Sequence, residues 1–224
     1  YIELPRPFLD DVRLLQVVDG RILTRYALGD EQPFPQRAVQ HHHFVMPLTL
    51  EPGRNAVYLR VASTGTVEAP LRIWQPAAFY EASDQEHLLA GAVFGMLVVM
   101  IVYNLFVYFS TRDINYLYYI SFVGSYLVFW STLSGYAFAY VWPNAIRWNS
   151  IAVPFSIASA CLSACLFADN FLKLRRYAPR THTVMKAMGW VSLGLMLGTL
   201  FLPYALVIRV GSAFILVVSV AALS

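Results

Sequence analysis

Leu88 to Phe109 reads LLAGAVFGMLVVMIVYNLFVYF, and its reading decides the fold. The stretch carries no charge. Its polarity is confined to Asn104 and the hydroxyls of Tyr103 and Tyr108. A helix needs about 20 such residues to cross the apolar core of a bilayer. Inside lipid only a helix or a closed barrel pairs every backbone amide, and no alternation of apolar and polar residues suggests a barrel strand. The stretch is therefore expected to be a membrane-spanning helix. It divides a turn-rich first third from a chain that stays apolar to its last residue.

Composition agrees. Of 224 residues, 58% are hydrophobic and 13% are charged, about half the charged share of a soluble domain. Mean hydropathy is +0.55. The net charge of +3 is too small to indicate nucleic acid as a partner; the lipid bilayer is the partner that the composition implies. Cys161 and Cys165 stand four apart in an apolar run, where they read as small packing residues. The sequence opens without Met or a leader, and the run from Val210 to Ser224 is still apolar where it stops, so a piece of a longer protein is expected.

Residues 1–76 read as an all-β sandwich. Asp11 to Val18 and Arg21 to Tyr26 flank Asp19-Gly20, a pair suited to the positive φ angles of a two-residue hairpin turn. Further strands are expected over Val39 to Leu50, Asn55 to Ser63 and Val67 to Trp74. In Asn55 to Ser63 the alternation puts Val57, Leu59 and Val61 on one face and Tyr58 and Arg60 on the other. In Val67 to Trp74, Val67, Leu71 and Ile73 should point inward. Short, evenly spaced strands indicate a sandwich, and about 76 residues is small for one, so strands upstream are expected. Residues 77–87 read as a juxtamembrane linker able to start the first spanning helix.

Two groups in the sandwich could carry chemistry. Arg37, Tyr58, Arg60, Arg72 and Trp74 could form a ligand face, by ring stacking and bidentate hydrogen bonds to a sugar or an acid; solvated outer-face side chains are the alternative. His41 and His43 would share a face of a strand and could hold a metal. With no third ligand in view, an exposed polar strand end is the preferred reading, and no metal or other cofactor is expected.

Residues 88–224 read as a helical region of about five spans. The later ones are expected at Ile114 to Trp142, Ile151 to Leu172, Ala187 to Phe201 and from Val207 onward. Lys173, Arg175, Arg176, Arg180 and Lys186 crowd the loop after the third span, and Arg112 follows the first. Basic loops face the cytoplasm, which sets the sandwich outside. Gly91 with Gly95, Gly194 with Gly198, and Ala160 with Ala164 are small-residue pairs that let helices approach closely, within one chain rather than between chains on the preferred reading. Asn104 should bond a neighbouring helix, and Asp169 should pair with Lys173 one turn on. No chain of ionisable residues lines the membrane centre, which argues against a transporter. No nucleophile elbow, phosphate loop or His/Glu metal box supports a membrane-anchored enzyme.

Several stretches together carry a resemblance: YALGDEQPFPQR (26–37), FVMPLTLEPG (44–53), VYLRVAST (57–64), GMLVVMIVYNLFVYFSTRDINYLYYISF (95–122) and SGYAFAYVWP (134–143). They resemble the bacterial seven-transmembrane receptors with diverse intracellular signalling modules. The resemblance implies a jelly-roll-like periplasmic sandwich, similar to carbohydrate-binding sandwiches, that senses a small ligand such as a carbohydrate-like one. It implies seven spans in the inner membrane and a cytoplasmic diguanylate cyclase or histidine kinase. It also implies a homodimer, since such outputs work in pairs. Five spans instead of seven, and no output module, are where this sequence departs. The expected fold class is thus a multi-domain membrane protein, an incomplete N-terminal β-sandwich followed by an α-helical transmembrane bundle.

Overall fold

The computed structural model describes residues 1–63 and 68–201. Contacts divide the chain into two compact units. One comprises Tyr1–Leu89 and Ser131–Asn149; the other holds Ala90–Trp130 and the residues from Ser150 onward.

The first unit contains a sandwich of two antiparallel three-stranded sheets. The strands are β1 (Ile2–Leu4), β2 (Asp11–Val18), β3 (Arg21–Leu28), β4 (Phe44–Met46), β5 (Asn55–Ala62) and β6 (Arg72–Ile73). One sheet has the order β4-β1-β6 and the other β3-β2-β5. The β2–β3 hairpin turns at Asp19 (φ 47°) and Gly20 (φ 81°), the two positive angles the Asp-Gly pair predicts. Ile2, Leu4, Leu9, Val12, Leu14, Leu28, Phe44 and Met46 form the core, with Leu59 and Val61 packed against it. Tyr58 and Arg60 face away, as the alternation of β5 requires.

The structure differs from expectation in three places. The strand expected over 39–50 shrinks to Phe44–Met46, because Pro47 cannot donate to a ladder and the histidines before it are tied elsewhere. Leu71 and Ile73 are exposed rather than inward; Val67 lies outside the described residues. The third difference is β1, which the sequence reading passed over; it pairs with both β4 and β6 and centres its sheet.

Helix α1 runs from Pro76 to Thr111 without a break, 36 residues, so the expected linker 77–87 is its first turns. Helix α2 is Ile114–Leu133. The expected second span stops there: Gly135 (φ 79°) ends it, and the short helix α3 (Tyr136–Tyr140) and Pro143 belong to the sandwich's unit. Helix α4 is Ile146–Phe171, α5 is Leu174–Tyr177 and α6 is Pro179–Phe201. Among the described residues α1, α4 and α6 are long and apolar enough to cross a membrane. Helix α2 has the length, but its tyrosines and serines hold it short of that apolarity. The expected fifth span lies outside the described residues.

In the second unit α2 and α4 meet through serines. Ser125 Oγ donates to Ser159 Oγ at 2.8 Å, and Ser163 Oγ donates to Ser121 Oγ at 2.8 Å. The contact stripe on α4 is this serine row, not the alanines: Ala160 is half-buried and Ala164 exposed. Gly91, Gly95 and Gly194 have open space where a Cβ would go, so they join no helix among the described residues. Gly189 does, lying against Leu162 and Cys165 of α4; Gly198 is half-buried in α6. Asn104 donates to the Met100 carbonyl of its own helix at 2.8 Å, not to a neighbouring helix among the described residues. Asp169 pairs with His182 at 2.5 Å, not with Lys173.

Candidate functional site

The first unit brings three segments together: the turn before β4, the first turns of α1, and the loop carrying α3. Its centre is His41-His42-His43, and all three side chains are buried. The exposed strand end expected from the sequence is not what forms.

Arg37 is the reason. It is itself buried, and its Nη1 donates to the carbonyls of His41 (3.0 Å), His42 (2.9 Å) and, more weakly, His43 (3.4 Å). One guanidinium thus takes up three carbonyls that a β-ladder would otherwise use, which holds residues 41–43 in a bend. Its planar face lies over Phe34 and Phe44, with centroids 4.7 and 4.3 Å away. Burial lowers its basicity to about 10, against the pull of Asp30, so it stays protonated at neutral pH. The loop with α3 closes over this turn. Phe34 N–H donates to the Pro143 carbonyl at 2.9 Å, and the Phe34 and Phe138 rings meet edge to face. A Cβ on Gly135 would sit 2.8 Å from the His42 carbonyl, so glycine serves both the positive φ and the close approach.

Two hydrogen-bonded chains leave the histidines. In the first, His43 N–H donates to His41 Nδ1 at 3.1 Å, which leaves the proton of neutral His41 on Nε2. That proton points at Ser83 Oγ (3.0 Å); Ser83 reaches His87 Nε2 (3.2 Å), and His87 Nδ1 reaches the Tyr136 hydroxyl (3.0 Å). In the second, His43 Nδ1 meets Glu3 Oε1 at 2.7 Å, while Trp74 Nε1 donates to Glu3 Oε2 at 2.6 Å. Burial opposes ionisation of Glu3. The hydrogen bonds from His43 and Trp74, and the charges of His43 and Arg72, overcome it and hold the carboxyl below its usual range. Burial and the neighbouring imidazoles lower His41 to about 3, and burial also lowers His42 despite its hydrogen bond to Glu86. Glu86 Oε1 lies 3.4 Å from His42 Nε2 and 3.7 Å from His43 Nε2. Phe79, buried against the rings of Tyr1 and His41, anchors α1 beside them.

The two segments that Arg37 and Phe138 lock together, 26–37 and 134–143, are among those that carried the family resemblance. A family model described as 7TM diverse intracellular signalling matches residues 86–224, and one described as 7TMR-DISM extracellular 2 matches residues 1–75. The chain belongs to the 7TMR-DISM family. No curated protein and no solved structure matches it. It is a membrane protein with an extracellular domain, of a family associated with sensory signalling.

The 7TMR-DISM sandwich does not gather the five residues expected to form one ligand face. Arg37 is interior. Arg72 and Trp74 stand by Glu3 on the β4-β1-β6 sheet. Tyr58 and Arg60 lie on the other sheet, where an open depression of about 450 Å³ also takes in Arg13, Leu15, Arg25 and Tyr26. His41 and His43 do come together, with His42, Glu3, Glu86, His87 and Tyr136, none of which the sequence reading picked out. Ser83 and His87, four apart just before an apolar run, were the available signal: they share one helix face.

Proposed function

We propose that this chain is the sensing and transmembrane portion of a bacterial inner-membrane receptor. Its sandwich stands in the periplasm and takes up a small ligand. The arginine- and tyrosine-bearing outer face of β2, β3 and β5 suits an acidic or carbohydrate-like one. Binding changes how the histidine turn holds the start of α1. A ligand can do this only through unequal affinity for two arrangements of that joint. Helix α1 carries the change toward a cytoplasmic output, a diguanylate cyclase or histidine kinase. Catalysis is assigned to that output and not to these residues.

One observation carries the reading. Ser83 and Glu86 of the helix that becomes the first apolar span are bonded to the histidine turn of the sandwich, and His87 is linked to it through Ser83. Topology tests it. Alkaline phosphatase fused after Trp74 should be active in cells, and green fluorescent protein fused after Arg180 should glow. The reversed pattern would reject the receptor orientation.

A further inference from the structure

The histidine turn leaves one arrangement unresolved by hydrogen bonding. With a neutral imidazole at His43, Glu3 takes the proton-bearing Nδ1, and the Nε2 lone pair then faces Glu86 Oε1 at 3.7 Å, acceptor against acceptor. His42 Nε2 approaches the same oxygen at 3.4 Å. The other ring nitrogen of His42, Nδ1, is buried and has no hydrogen-bond partner among the described residues. Two imidazole nitrogens and a carboxylate oxygen therefore converge on one point, where among the described residues a single long hydrogen bond, His42 Nε2 to Glu86 Oε1 at 3.4 Å, holds them together.

A cation at that point resolves the conflict. Nitrogen and oxygen ligands about 2.0–2.1 Å from a tetrahedral ion lie roughly 3.3 Å apart. The observed 3.4 and 3.7 Å need a small adjustment of the half-exposed Glu86. The ligand atoms of His42, His43 and Glu86 all fall within 4.8 Å of one another. The outer shell is already built: a carboxylate on Nδ1 of a ligating histidine, itself held by further bonds, fixes tautomer and ring orientation, and Glu3 does this for His43 while Trp74 and Arg72 hold Glu3. Two imidazoles favour a borderline transition-metal ion over hard calcium or magnesium.

We propose that His42, His43 and Glu86 bind a divalent transition-metal ion of the zinc class, with Glu3 as the positioning residue on His43, and that the ion ties the sandwich to the start of α1. The site goes beyond the receptor reading, and metal binding is measured without any signalling output, so either can fail alone.

The test uses the full chain in lipid nanodiscs, purified through a tag without histidine. Zinc is titrated against a chromophoric chelator, and Co²⁺ is followed by its visible d–d absorption. One equivalent of zinc per chain is expected, with the intense spectrum of a four-coordinate nitrogen/oxygen site. Glu86→Gln, at a half-exposed position that tolerates the change, should weaken zinc at least tenfold. His43→Gln should do the same, Glu3→Gln should weaken zinc about tenfold, and Arg60→Ala should leave it unchanged. No stoichiometric zinc, zinc that survives both Glu86→Gln and His43→Gln, or equal binding of magnesium would each overturn the proposal.

Discussion

Arg37 shows how one side chain can set a local fold. Its guanidinium takes carbonyls from three consecutive histidines, which ends any strand before Phe44 and turns the rings inward. Asp30 is the nearby charge that pulls on it, and it titrates oddly for the same reason. Burial, then Asp10 and Glu31, push its carboxyl up to about 6, against the attraction of Arg37. A carboxyl raised in the folded state contributes most below its unfolded value of 3.8, and that contribution is lost as pH rises through 6. Asparagine has no such dependence. The stability of Asp30→Asn relative to the parent should therefore move in favour of the variant by about 2 kcal/mol between pH 4 and pH 7. Melting temperatures in nanodiscs across that range measure it; a flat difference would remove Asp30 as a titrating group.

At the scale of elements, packing in the helical unit follows hydroxyls more than glycines. Ser121, Ser125, Ser159 and Ser163 join α2 to α4, and Gly189 brings α6 to α4. The Gly91/Gly95 pair faces open space among the described residues. Replacing both with isoleucine should then leave the melting temperature of the isolated chain within the equivalent of about 0.5 kcal/mol. By contrast, Ser125→Ala with Ser163→Ala, which removes both hydroxyl bonds between α2 and α4, should cost on the order of 1 kcal/mol, given about 0.6 kcal/mol for a typical hydrogen bond between membrane helices. If the isoleucine pair proves the more damaging, the glycines pack against something in the same chain. If it leaves melting intact but abolishes cross-linking between chains, the glycines serve a homodimer.

At the scale of the whole molecule, residues far apart in sequence close one joint. Glu3, His41 to His43, Ser83 to His87 and Tyr136 come from four segments within one compact unit. Three glycines inserted after Tyr80 would turn Ser83, Glu86 and His87 off that face. Amide hydrogen exchange should then rise at least tenfold across 37–46 and 134–143 while β2, β3 and β5 stay protected. Unchanged protection would show that the joint does not depend on α1. Much of the fold could be read from the residues alone, because its signals are local. The unbroken apolar run from Leu88 makes a spanning helix whatever surrounds it, Asp19-Gly20 sets its own turn angles, and alternation in β5 separates Leu59 and Val61 from Tyr58 and Arg60. The joint could not be read so. Whether three histidines lie on a strand end or in a core depends on an arginine four residues earlier, a glutamate at position 3 and a loop beyond residue 130. Burial, tautomer and charge there come from partners that no local pattern announces, and only the tertiary structure decides which groups share that low-dielectric space.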